Sequence, residues 1–237
     1  MIVPTMLQLA ESVPGLPAGV RGWTTTRAMG SFGFGSSEPV SDVFDRWNLL
    51  QADLGEYGID RLACAHQVHG AEVVTHAGGW RGWLRGLGVD GHVTATPGTA
   101  LAVTVADCTP VFVWHPGGGI AALHAGWRGT AARIFDAGLS ALGALGFPAE
   151  ECEVWLGPAI CGACYEVGPE VLSAVHGTVF DAQGYLDVRA VLAEQASARR
   201  VTRITTADGC SRCHRDRYFS HRAGDTGRML GIVALEG

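Results

Sequence analysis

Between Ala100 and Leu123 the chain passes through three short, apolar, β-branched pieces, "ALAVTVADC", "PVFVWH" and "GIAALH", separated by Asp107, Pro110 and "PGGG". This run predicts three strands of a buried sheet. The "PGGG" segment is a turn, so the strands on either side of it pair as an antiparallel hairpin in which facing residue numbers sum to roughly 233. Helices to cover such a sheet are read from apolar spacing in "SDVFDRWNLLQADL", behind Ser41 as N-cap, and in "TAARIFDAGLSALGALG", which stops at Gly146. "GPEVLSAVHG" and "LDVRAVLAEQASARR" are further helices, and "CEVWLG" and "MLGIVALEG" further strands. The elements alternate without a repeated βαβ period. The expected fold is therefore α+β (layered α/β), a mixed sheet containing antiparallel hairpins and packed by helices. With 237 residues, 47% of them hydrophobic, and no linker-like stretch, one domain spanning 1–237 is expected.

The same hairpin brings chemistry together. Cys108 and His124 have numbers close to the facing sum, which puts a thiol and an imidazole side by side at the end opposite the turn. His69 of "HQVHG" precedes a glycine at the start of another expected strand and offers a third donor. One sulphur and two nitrogens suit zinc and leave a fourth tetrahedral position open, the arrangement of a catalytic rather than a structural site. The alternatives are a core thiol beside satisfied histidines, and a cysteine hydrolase in which His124 activates Cys108 as nucleophile. His66 forms an HxxH with His69; spacing on a strand puts the two on opposite faces, which makes His66 a neighbour. His115 lies at the far end of the hairpin and is expected to bind no metal. His76, His92 and His176 are read as surface or core residues.

Composition narrows the partners. Asp and Glu number 23 against 17 basic residues, a net charge of -6, which argues against nucleic acid and for a small-molecule substrate. All 17 basic residues are arginine, so lysine nucleophiles, Schiff bases and P-loops are excluded. The amino terminus lacks the flanks and apolar core of a signal peptide, and no run approaches a membrane span; no membrane partner and a cytoplasmic location are expected. Seven cysteines in a reducing compartment are read as thiols, ligands or core residues rather than disulfides.

"HQVHG", "ADCTPV", "HAGWRG", "GPAICGACYEVG" and "YFSHR" followed by "TGRM", in this order, strongly resemble the YfiH-like laccase-domain family, also called the polyphenol oxidase family, over residues 21–235. The resemblance implies zinc held by His69, Cys108 and His124. It also implies purine nucleoside chemistry: phosphorolysis of adenosine, inosine, guanosine or methylthioadenosine, and deamination of adenosine. Editing of cell-wall peptide precursors, reported for relatives, is a further implied alternative. Oxidase chemistry, and copper with it, is disfavoured because the sequence contains no HxH pair. Phosphorolysis needs a held anion, for which Arg27, Arg128 and Arg222 are the candidates, each otherwise a salt-bridge partner; Cys164 is placed near the substrate. Arg128 is expected near a helix N-terminus, and Trp127 fills space under the turn, with stacking on a base as the alternative. Glycines at 126 and 129 let the chain pass close to the site.

Two departures from the family pattern are visible: a short "AMGSFGFG" loop with Gly33 in place of the usual asparagine, and Arg222 followed by Ala223 in place of a second arginine. "CGAC" and "CSRCH" match a redox pair and a haem attachment pattern; as two CxxC pairs, Cys161, Cys164, Cys210 and Cys213 could also bind a structural zinc, or remain thiols close to the pocket.

Overall fold

The computed structural model describes residues 5–237. One six-stranded sheet contains β1 (Glu11–Ser12), β2 (Val20–Thr24), β3 (Arg61–His66), β5 (Gly82–Leu87), β7 (Thr99–Val105) and β14 (Met229–Leu235), in the order β1-β2-β14-β7-β3-β5. The second contains β4 (Val73–His76), β6 (Gly91–Thr94), β8 (Thr109–Trp114), β9 (Ile120–Ala125), β10 (Glu153–Leu156) and β13 (Arg203–Thr206), in the order β13-β10-β8-β9-β6-β4. A small ribbon pairs β11 (Glu166–Val167) with β12 (Gly184–Tyr185). The helices are α1 (Met6–Leu9), α2 (Val40–Gly55), α3 (Trp127–Ala131), α4 (Ile134–Ala144), α5 (Pro169–His176) and α6 (Val188–Ala198).

The architecture has four layers. Phe112, Trp114, Ile120 and Trp155 of the second sheet pack against Leu101, Val103, Val105, Met229 and Val233 of the first. On its other face the second sheet places Val111, Val113, Leu123 and Val154 against Phe135, Leu139, Leu172 and Leu192 of the helices. The outer face of the first sheet, with Leu62, Ala100, Leu230 and Ile232, packs on Trp47, Leu50 and Leu54 of α2. Central strands are thus covered on both sides. Their unbroken apolar runs follow from that, since neither alternate set of side chains meets water.

The α+β class and the mixed, helix-packed sheets agree with the sequence expectation, with four differences in detail. The three pieces between Ala100 and Leu123 do not share a sheet, because β7 joins β14 and β3 while β8 and β9 join the other layer. In the hairpin Thr109 faces Ala125 and Pro110 faces His124, so the facing sum is one higher than expected and Cys108 lies just beyond the ladder. The helix expected to run up to Gly146 is broken: Arg133, at φ +65°, separates α3 from α4. Ser41 lies inside α2, which Pro39 precedes as N-cap; proline at that position removes an N–H that would have no partner in the helix.

One topological feature builds the site. β3, β5 and β7 are mutually parallel, so their C-terminal ends lie at one edge of the first sheet. From each of those ends the chain crosses to the second sheet, through residues 67–72, 88–90 and 106–108. β9, antiparallel to β6, finishes at the same edge. Four distant segments therefore converge there.

Candidate functional site

The three crossovers carry His69, Asp90 and Cys108, and the end of β9 carries His124. One ligand atom from each of His69, Cys108 and His124 lies within 4.8 Å of the others, and the two imidazole rings sit edge to face with centroids 4.8 Å apart. His69 is in a turn rather than on a strand, at φ +62°, and His66 is the last residue of β3. His66 and His69 therefore do not share a strand, and opposite strand faces are not what separates them. His66 lines the cavity but is outside the three-donor group. His115 is remote, bonded to Glu151 at 3.1 Å.

Asp90 is the residue that sequence reasoning missed. It is fully buried, and one oxygen accepts from His124 Nδ1 at 2.8 Å and from the His69 amide at 2.9 Å. The other accepts from the Val68 and Gly70 amides at 3.1 and 2.8 Å. One carboxylate thereby fixes the left-handed turn that presents His69 and also holds His124 through Nδ1, which leaves Nε2 as the nitrogen available to the ligand group. Burial raises the Asp90 pKa, but the bonds from His124, Gly70 and Val68 outweigh it and hold the carboxyl below its ordinary value. Burial would likewise raise the Cys108 thiol, yet the charge and hydrogen bonds of His124 and His69 bring it down to about 6. His124, lowered by burial, is carried up to about 9 by Cys108 and Asp90. The site favours a thiolate, the form that binds metal or attacks as a nucleophile.

Close approach explains the glycines. A Cβ on Gly126 would stand 2.8 Å from Cys108 Sγ, and one on Gly129 would stand 2.8 Å from the Gly70 carbonyl oxygen. Asp107, at φ +78°, supports the ligand loop from the other side by accepting from Ser211 Oγ and the Arg222 amide, both at 2.6 Å.

The three donors open into a cavity of about 600 Å³. Phe32, Phe34 and Trp47 form part of its wall, and Phe34 and Trp47 lie nearly parallel to Trp83, with Trp47 and Trp83 centroids 4.9 Å apart. Arg85, Arg128, Arg222 and Arg228 also line it. Among the described residues none of the four forms a salt bridge with a carboxylate. Arg128 is exposed in α3, stacked 4.3 Å over the Trp127 ring, so Trp127 borders the cavity as well as packing under the turn. Arg222 lies 4.8 Å over Tyr165 and donates to the Glu166 carbonyl at 2.8 Å.

Two expected substrate contacts are placed elsewhere. Arg27 does not line the cavity; its guanidinium is held by Asp225, which sequence order gave no reason to pair with it. Cys164 also lies outside the lining, with its sulphur 3.5 Å from that of Cys213. Arg228 and Arg85 take positions on the wall instead. Gly33 makes room for the first, since a Cβ there would stand 2.6 Å from Arg228 Cγ.

No helix among the described residues is long and apolar enough to cross a membrane. Residues 26–236 match the family described as multi-copper polyphenol oxidoreductase laccase. A protein of Deinococcus radiodurans named purine nucleoside phosphorylase is 36% identical over 198 residues, 78% of this chain and 74% of that protein. A protein from an unknown prokaryotic organism, named adenosine deaminase RL5, is 34% identical over 149 residues, 57% of each chain. The crystal structure of YlmD from Geobacillus stearothermophilus superposes with a TM-score of 0.84 at 28% identity, covering 93% of each chain.

Proposed function

This chain belongs to the multi-copper polyphenol oxidoreductase laccase family, and from that premise we propose that it is a zinc-dependent purine nucleoside enzyme, cleaving adenosine, inosine, guanosine or methylthioadenosine with phosphate and deaminating adenosine. The observation that carries this proposal is the meeting, in one cavity, of a three-donor group and four arginines without carboxylate partners. The names of the relatives support purine nucleoside processing.

The donor set fits zinc. A thiolate and two imidazoles from His69, Cys108 and His124 leave a position facing the cavity, and Gly126 keeps the sulphur free of crowding. Bound zinc would supply a Lewis acid that polarises an oxygen of water or substrate.

The remaining work falls to side chains of this protein. Phe34, Trp127 and Tyr165, the partly exposed rings that line the cavity, offer apolar surface to the purine. Arg128 and Arg222, on the same side as the donors, hold the phosphate beside the ribose, where their charge offsets that of the incoming anion. His66 and His221 line the cavity as the imidazoles that exchange a proton with the purine nitrogens. Burial above all, with the nearby Cys108 charge, raises the Tyr165 pKa, so its hydroxyl remains a donor.

Arg128→Ala separates the two reactions. Phosphorolysis needs a second, anionic reactant and deamination does not. A lost charge-assisted contact is worth about 2 kcal/mol, or about thirtyfold in the rate at low phosphate. Lysine at 128 should recover only part, lacking the two-pronged geometry. Inosine cleavage as a function of phosphate, measured beside adenosine deamination without phosphate and zinc by elemental analysis, tests this. Equal losses in both reactions with zinc retained would reassign Arg128 to shaping the pocket.

A second function, thiol hydrolysis by Cys108 and His124, draws on the lowered Cys108 pKa. Zinc bound at the site would exclude it, because a coordinated thiolate is not free to attack an acyl carbon.

A further inference from the structure

Four of the seven cysteines form a constellation that the cavity does not use. Cys161 caps the start of a one-turn 3-10 helix after β10 and Cys164 is its last residue, while Cys210 and Cys213 sit in the loop between β13 and β14. Cys164 and Cys213 are 49 positions apart in sequence. All four sulphurs nevertheless lie within 4.8 Å of one another. The backbone forces the encounter: Ala159 bridges Cys210 in a parallel pair, and the Ser211 amide donates to the Ala159 carbonyl at 3.1 Å.

Core thiols elsewhere in the chain look different. Cys64 and Cys152 are buried singly among apolar neighbours, whereas Cys161 and Cys164 are half-buried, Cys210 is buried, Cys213 is exposed, and all four lie together. The amides of Cys161 and Cys213 donate to Cys210 Sγ at 3.3 and 3.4 Å, bonds that compensate charge on a thiolate. The Cys164 to Cys213 sulphur separation of 3.5 Å is far from the ~2.05 Å of a disulfide. It is close to the roughly 3.8 Å edge of a tetrahedron with ~2.3 Å zinc–sulphur bonds.

We propose that Cys161, Cys164, Cys210 and Cys213 form a second metal site, a closed tetrathiolate for zinc that pins the two loops together. Two CxxC pairs supply four soft donors with no open position, which makes the site structural rather than catalytic. Binding releases the thiol protons to solvent and involves no change of oxidation state. The pinned loops carry cavity residues: Tyr165 follows Cys164 directly, and Ser211, between Cys210 and Cys213, holds the Asp107 carboxylate next to Cys108. The site thus fixes the wall that bears Tyr165 and Arg222.

The test needs no assumption about the substrate. Protein purified under reducing conditions is expected to carry two zinc ions per chain, falling to one in Cys161→Ser/Cys213→Ser and to one in Cys108→Ala. Because the double variant could fold poorly, cobalt is also loaded into the Cys108→Ala protein, where intense sulphur charge-transfer and tetrahedral ligand-field bands are expected. One zinc in the wild type that disappears in Cys108→Ala, a Cys164–Cys213 disulfide in peptide maps, iron in place of zinc, or weak octahedral cobalt bands would each overturn the proposal. Loss of the cavity zinc alone would count against the proposed function and leave this site standing.

Discussion

On the proposed function, Cys108→Ala protein is expected to bind no zinc at His69 and His124 and to turn over nucleosides more than about a thousandfold more slowly, equivalent to about 4 kcal/mol of transition-state stabilisation. Cys108 is the one donor of the three whose bound form carries a negative charge, and the site is built to favour that charge. Two neutral imidazoles do not replace it. Folding should survive, because the crossovers are tied by other groups: Asp90 to the 68–70 amides, and Gln67 to both the N–H and the carbonyl of Thr104 at 2.8 Å. Elemental analysis, circular dichroism and nucleoside kinetics on one preparation check this. Unchanged zinc at the site would remove Cys108 from the ligand set; lost activity with zinc retained would favour the nucleophile.

Asp90→Asn should weaken zinc binding by about 10- to 100-fold, although Asp90 is not among the donors. An amide has one acceptor oxygen where the carboxylate has two. If that oxygen keeps His124 and His69, the amide nitrogen must face the Val68 and Gly70 amides, donor against donor; flipped, it faces His124 Nδ1. Either choice leaves buried groups unpaired at a cost of about 1–3 kcal/mol. Competition with a chromophoric chelator and a denaturant curve measure the two effects. If zinc affinity is unchanged while stability falls, Asp90 supports only the fold. The acid limb provides a second readout. A carboxyl held below its ordinary pKa contributes stability that is complete above the ordinary carboxylate range and is lost as pH falls through the depressed value. The variant should lack that limb.

Much of the site was legible because its signals are local. The "PGGG" turn and its flanking apolar strands set the hairpin to within one residue of register, which was enough to bring Cys108 near His124. "HAGWRG" announced the close turn that Gly126 and Gly129 permit, and the absence of lysine removed whole mechanisms. Asp90 gave no comparable signal. A lone aspartate before a short strand resembles any turn residue, and its role exists only once the 67–72 crossover is laid over it. Arg27 was misplaced for the converse reason, since its partner Asp225 lies 198 positions away.

By itself, then, the sequence determined the strands on either side of the "PGGG" turn, the longer helices with apolar spacing, and a set of donor types, two imidazoles and a thiol, whose chemistry suits a metal. Those properties follow from backbone preferences and periodic burial acting within a few residues. Only the tertiary structure decided that β7 leaves its neighbours for the other sheet, that three crossovers share one edge, and that two CxxC pairs meet. A buried apolar strand satisfies its side chains in either layer, so no local pattern states which layer it joins; the choice is made by the packing of all four layers at once.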